Sequence, residues 1–128
     1  MKTIITTDQA PAPVGPYNQA IKANGMLFIS GQVAIDPAAG ELVMANIEEE
    51  THQVMKNLKA ILNEAGLDFE HVVSCSVFVV EMGLYSRINE VYAQYFNNET
   101  APTRALVEVS NLPKYVNIEI SAIAVFPA

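Results

Sequence analysis

The chain has one cysteine, Cys75, and two histidines, His52 and His71, in 128 residues. One cysteine excludes an intramolecular disulfide and a cysteine-rich zinc site, and two histidines exclude a multi-histidine metal centre. Basic residues are also scarce: 7 Lys and Arg stand against 14 Asp and Glu, a formal net charge of −7. Such a domain repels phosphate backbones on average, and seven cations leave little from which to build a nucleic-acid-binding stripe. No run of ~18 consecutive apolar residues occurs, so no membrane-spanning helix is expected. The opening stretch MKTIITTDQAPAPVGPY lacks the apolar segment of a signal peptide. A P-loop, a dinucleotide fingerprint and a Ser-His-Asp arrangement are absent, so cofactor-dependent chemistry has no support and no cofactor is expected. These absences lead to the expectation of a cytoplasmic single domain covering residues 1–128.

What the sequence does contain is core material, 51% of residues being hydrophobic. Two segments carry a helical period. From Asn46 to Ala65, Val54, Met55, Leu58, Ile61, Leu62 and Ala65 form one apolar stripe. Asn46 and Glu49 resemble a capping pair, Glu48, Glu49 and Glu50 suit the positive end of the helix dipole, and Gly66 is a natural stop. From Leu84 to Asn97, Leu84, Ile88, Val91, Tyr92, Tyr95 and Phe96 share one side. The remaining apolar runs read as strands: 17–23 ending at the hairpin signal Asn24-Gly25, then 26–30, 72–80, 105–109 and 118–125. Asp36 to Gly40 reads as a further turn. The order β, β, α, β, α, β, β predicts an α+β fold, a sheet with both helices on one face.

Against this background a few polar residues stand out. Arg104 opens an apolar strand; it is either a solvated edge residue or a planar fork for a carboxylate. Glu119 lies inside IEISAIAV, on the face opposite Ile118 and Ile120. It is either solvent-facing or a half-buried carboxyl whose surroundings tune it as an acid or base. Ser30-Gly31-Gln32 ends a strand where glycine permits close backbone approach. Gly15-Pro16-Tyr17 is a turn followed by an aromatic hydroxyl. Cys75 reads as a small buried hydrophobe, and His52 and His71 as surface residues.

The run PTRALVEVSNLPKYVNIEISAIAV resembles the signature of the Rid family, the reactive intermediate (enamine/imine) deaminases, also called the YjgF or L-PSP endoribonuclease type. Pro102, Arg104, Leu112, Pro113, Ile118, Glu119 and Ile120 occupy the signature positions. Gly15–Tyr17, Ser30–Gln32 and the segment Asn57–Gly66 match further family motifs, so the likeness spans essentially the whole chain. The resemblance implies a chorismate-mutase-like mixed sheet with two helices on one face, and a homotrimer with clefts between subunits. It also implies cofactor-independent hydrolysis of 2-aminoacrylate, 2-aminocrotonate and their imines to a 2-keto acid and ammonia. Such intermediates leak from pyridoxal-phosphate enzymes such as serine/threonine dehydratases. On the same basis Arg104 is the carboxylate clamp, with the Leu106 backbone N–H as a second donor. Glu119 and the Gly31 carbonyl position the attacking water, and Tyr17, Ser30 and Asn89 line the cleft.

Some positions depart from the family pattern. Leu106 stands where cysteine is frequent, Thr103 replaces a usual alanine, and the loop from Asn97 to Ala101 is short. These bear on substrate size. Two other functions remain open: a non-catalytic module binding 2-ketobutyrate or another small carboxylate, and an endoribonuclease or translation inhibitor. The acidic composition argues against the last.

Overall fold

A computed structural model describes residues 1–128. Eight strands and two α-helices follow one another in the order β1 (Thr3–Ile5), β2 (Ala20–Ala23), β3 (Met26–Gln32), β4 (Ile35–Asp36), β5 (Glu41–Leu42), α1 (Ile47–Glu64), β6 (Val72–Val79), α2 (Tyr85–Tyr92), β7 (Thr103–Glu108) and β8 (Ile118–Val125). Six strands form one mixed sheet in the order β1-β2-β3-β8-β6-β7; β4 and β5 make a separate hairpin around the expected Asp36–Gly40 turn. All pairs in the large sheet are antiparallel except β6 with β7, which are joined through α2 and so can run parallel. The expected α+β sheet with two helices is therefore present. No helix is long and apolar enough to cross a membrane.

Strand alternation sorts the side chains into two faces. Cys75, Val77 and Val79 of β6 and Ile118, Ile120, Ala122 and Ala124 of β8 are buried under the helices. The residues between them point to the other face, which no element of the chain covers. α1 supplies Val54, Met55, Leu58, Ile61 and Leu62, each 0–1% exposed. Full burial of one such side chain contributes roughly 1.5–3 kcal/mol. Asn46 caps α1 as expected, its Oδ1 accepting from the Glu49 N–H at 2.8 Å.

Four sequence expectations need correction. The second helix does not reach Asn97: α2 ends at Tyr92 and tightens into a 3₁₀ turn over Ala93–Tyr95. That turn swings Tyr95 and Phe96 onto Phe69, with ring centroids 5.3 Å apart in both pairs. The segment 17–23 is strand only from Ala20, because Gln19 is committed to the preceding loop, donating to the carbonyls of Thr7, Ala10 and Pro11. The strand expected at 105–109 runs from Thr103 to Glu108, so Arg104 lies within it. The histidines are half-buried rather than surface residues: His52 Nδ1 meets the Tyr95 hydroxyl at 2.7 Å, and His71 Nδ1 accepts from the Asp68 N–H at 3.0 Å.

Candidate active site

Arg104 is on the helix face of β7, in register with buried Cys75 of β6. Its guanidinium lies over the ring of Tyr92 at 4.8 Å and beside that of Tyr85 at 5.5 Å. Nη1 donates to Asn89 Oδ1 and Nη2 donates to Tyr85 Oη, both at 2.9 Å. All three partners come from α2. The ion pairs of the chain are Lys59–Asp68 and Arg87–Glu48, so no carboxylate neutralises Arg104. Burial pushes the Tyr92 phenol and the Cys75 thiol up, which keeps both uncharged beneath it. The result is a half-buried cation walled by aromatic rings and neutral oxygens, a receptor for a planar anion.

Leu106 is on the same face, its side chain against the core. Its backbone matters more. β7 is the edge of the sheet, and Val109 N–H donates to Val79 O at 2.8 Å across the β6 side. Amide direction alternates along a strand, so the Val107 and Ala105 amides turn the same way and the Leu106 N–H faces outward. A free backbone donor thus sits two residues from the free guanidinium.

Glu119 projects from the uncovered face, level with Phe78 of β6 and, one strand further, Val107 of β7. Burial pushes its carboxyl above the usual carboxylate range. Opposite it, β3 bulges. Ile29 pairs with Ala122 and Gln32 with Ile120, leaving Ser30 and Gly31 to face Ser121 alone. The bulge brings the Gly31 backbone against Glu119 so closely that a Cβ at position 31 would overlap the carboxylate. Ser30 Oγ donates to Asn18 O at 2.6 Å, tying the bulge to the loop that carries Tyr17. Tyr17, 49% exposed, shares with Gly31, Gln19, Pro113, Lys114 and Glu119 a small cavity of about 100 Å3.

The site residues read from the sequence therefore fall into two groups. Arg104, Leu106 and Asn89 meet at the β7–α2 edge; Glu119, Gly31, Ser30 and Tyr17 meet around the β3 bulge. The structure does not bring the groups together. β6 lies between β7 and β8, neighbouring strands are about 4.8 Å apart, and the two key side chains leave opposite faces of the sheet. No small molecule touches both in one copy of the chain. No set of three His, Cys, Asp or Glu side chains is arranged to hold a metal.

Sequence reasoning missed Tyr85 and Glu50. Tyr85 carried no signal beyond its place at a helix start. In the sequence Glu50 reads only as part of an acidic first turn, yet it is fully buried. Its carboxylate accepts from the Asn117 N–H and Asn117 Nδ2, both at 2.8 Å, and from the Ile118 N–H at 3.3 Å. It thereby pins the start of β8 one residue before Glu119.

Comparisons with known proteins agree with this architecture. Residues 7–126 match the family described as Endoribonuclease L-PSP. A RutC family protein of Pyrococcus horikoshii is 52% identical over 97% of this chain and 98% of its own length. A mouse protein named 2-iminobutanoate/2-iminopropanoate deaminase is 42% identical over 98% of this chain and 92% of its own. Among solved structures, a Yersinia pestis member of the Rid family superposes with a TM-score of 0.94 at 43% identity, covering 98% and 99% of the two chains. E. coli TdcF, solved with bound serine, gives 0.92 at 39% identity, covering 98% and 99%.

Proposed function

This chain belongs to the endoribonuclease L-PSP family, which includes the Rid proteins, and from that premise we propose that it hydrolyses 2-imino acids to 2-keto acids and ammonia. The observation that carries the reading is Arg104: a half-buried guanidinium with neutral surroundings and no internal carboxylate. A small 2-imino acid offers the missing anion. Arg104 and the Leu106 N–H hold its carboxylate; Glu119 and the Gly31 carbonyl hold a water at the imine carbon. Glu119 accepts the water's proton as the C–O bond forms. It passes that proton to nitrogen as the C=N double bond opens, then carries the remaining hydroxyl proton to nitrogen as C=O forms and the C–N bond breaks, releasing ammonia. Enamine forms such as 2-aminoacrylate and 2-aminocrotonate tautomerise first. Imines hydrolyse unaided in water, so positioning and one acid/base group suffice, and the reaction asks for no cofactor.

Because the two groups of residues leave opposite faces of one sheet, the reading requires a second copy. The β7 edge of one subunit meets the β3 bulge of its neighbour, with the uncovered faces turned inward. That face carries Phe28, Val107 and Val125, all exposed in the single chain, together with half-buried Phe78 and Ile123. We take the assembly to be the homotrimer that the family resemblance implies, acting in the cytoplasm. Relatives support the chemistry: the mouse and bovine proteins named as deaminases share 42% and 43% identity with this chain. The bound serine of E. coli TdcF is a small carboxylate of the right class.

The test is a coupled assay. A threonine dehydratase generates 2-iminobutanoate in situ, and 2-oxobutanoate release is followed with wild type, with Arg104→Ala and with buffer. Wild type accelerates release, and Arg104→Ala loses the acceleration at least roughly 100-fold, the scale of removing a charged anchor from a small substrate. Equal rates for wild type and Arg104→Ala overturn the assignment. The competing reading, a carboxylate-binding module, shares Arg104 but gives Glu119 no task. Intact 2-oxobutanoate binding without any acceleration would favour it.

A further inference from the structure

Arg104 is gripped on three sides, and one of the grips is a residue for which neither the sequence signature nor the proposed chemistry has a role. Tyr85 opens α2 and is 42% exposed, so it forms the outer wall of the guanidinium's niche while buried Tyr92 forms the inner one. Its Oη accepts from Nη2 as Asn89 Oδ1 accepts from Nη1, each at 2.9 Å. The two acceptors thus lie on the two terminal nitrogens of one planar group. Together they fix rotation about the side chain's last bonds. A guanidinium has five N–H donors; two are spent here, and Nε–H with one N–H on each terminal nitrogen stay free. The Tyr92 ring lies over the plane at 4.8 Å and the Tyr85 ring beside it at 5.5 Å, so those free donors are presented along the open edge. An arginine held this way does not lose side-chain freedom when an anion docks, which is the main entropic cost of using one.

On the strength of the carboxylate-clamp reading, we propose that Tyr85 is a positioning residue for substrate binding: its hydroxyl presets the plane of the Arg104 guanidinium for the incoming carboxylate. Ring and hydroxyl do different work. The ring walls the niche, and the hydroxyl sets the angle of the plane. Tyr85→Phe keeps the first and removes the second. Tyr85 touches no reacting atom, so its loss is felt in binding, with little change at saturating substrate.

Three measurements test this on the whole chain. Calorimetric titration with 2-oxobutanoate shows Tyr85→Phe binding roughly five- to tenfold more weakly, the scale of one hydrogen bond to a partly exposed charge, while Tm is unchanged. In the coupled assay KM rises by a similar factor and kcat holds. Nitrogen-15 NMR resolves separate, slowly exchanging Arg104 Nη signals in wild type that merge in Tyr85→Phe. 3-Fluorotyrosine at position 85, a poorer acceptor, falls between the two. An unchanged Kd in Tyr85→Phe, a fall in kcat alone, or merged Nη signals already present in wild type overturns the proposal. If wild type binds no 2-oxobutanoate, the clamp itself fails and Tyr85 with it. Binding that Arg104→Ala abolishes and Tyr85→Phe leaves untouched spares the clamp and removes only Tyr85.

Discussion

Gly31 is restricted to glycine by its neighbour across the sheet. The atoms that an added Cβ would meet belong to the Glu119 side chain, its carboxylate nearest, and not to backbone, so Gly31→Ala displaces the carboxylate more than it harms the fold. Turnover should fall about 10- to 100-fold, the scale of misplacing a reacting group by an ångström, with Tm close to wild type. Glu119 itself predicts two opposite pH effects. Burial raises its carboxyl, so the charged form disappears at a higher pH than for an exposed glutamate. Turnover that uses the carboxylate therefore declines as pH drops through that raised value, and Glu119→Gln, nearly inactive throughout, shows no such limb. Stability runs the other way. A raised acid binds its proton more tightly when folded, so its contribution favours folding at low pH and is lost as pH rises through the folded value. Glu119→Gln should thus raise Tm at neutral pH, by a few degrees at most, and leave it unchanged at pH 4. Thermal melts at the two pH values check this. Both Arg104 and Glu119 could be picked out in the sequence as charges among apolar neighbours. Which face Arg104 takes could not, because Ala105, Leu106 and Val107 are apolar on both sides of the alternation.

Elements are positioned here by a few buried polar anchors. Glu50, on the first turn of α1, holds the backbone where β8 begins and so links the longest helix to the strand that carries Glu119. Glu50→Ala strands those buried donors and should cost about 2–4 kcal/mol, since unmet buried groups cost more than a hydrogen bond returns; urea unfolding measures it. Glu50→Gln keeps the shape and one acceptor and should cost less. Sequence patterning found the long elements for a plain reason: α1 has an unbroken apolar stripe, and β6 and β8 alternate over eight residues each. It missed β1, which has three residues and only one neighbour. It overran α2 because Tyr95 and Phe96 continue the helical stripe in sequence while stacking on Phe69 in space. It could not separate Glu50 from Glu48 and Glu49, since three adjacent acids look alike until one of them is buried.

For the whole molecule, the proposed site, split between opposite faces of the sheet, makes a prediction that no single-copy enzyme shares. Arg104→Ala and Glu119→Gln chains, each inert alone, should recover activity when refolded together. Random assortment in a closed ring pairs an intact Arg104 with an intact Glu119 at roughly one site in four. Failure to recover any turnover in verified mixed assemblies would place both residues of each site in one subunit. Charging the bare face, as in Phe28→Asp, should abolish turnover and leave a folded monomer by sedimentation. The bare face has a further consequence, one of timing. If the site forms between copies as proposed, a newly made chain can fold, with Arg104 and Glu119 each in place, and still be unable to act until it meets its own kind. Output per chain would then climb with protein abundance, and dilution would silence turnover well before the fold melts.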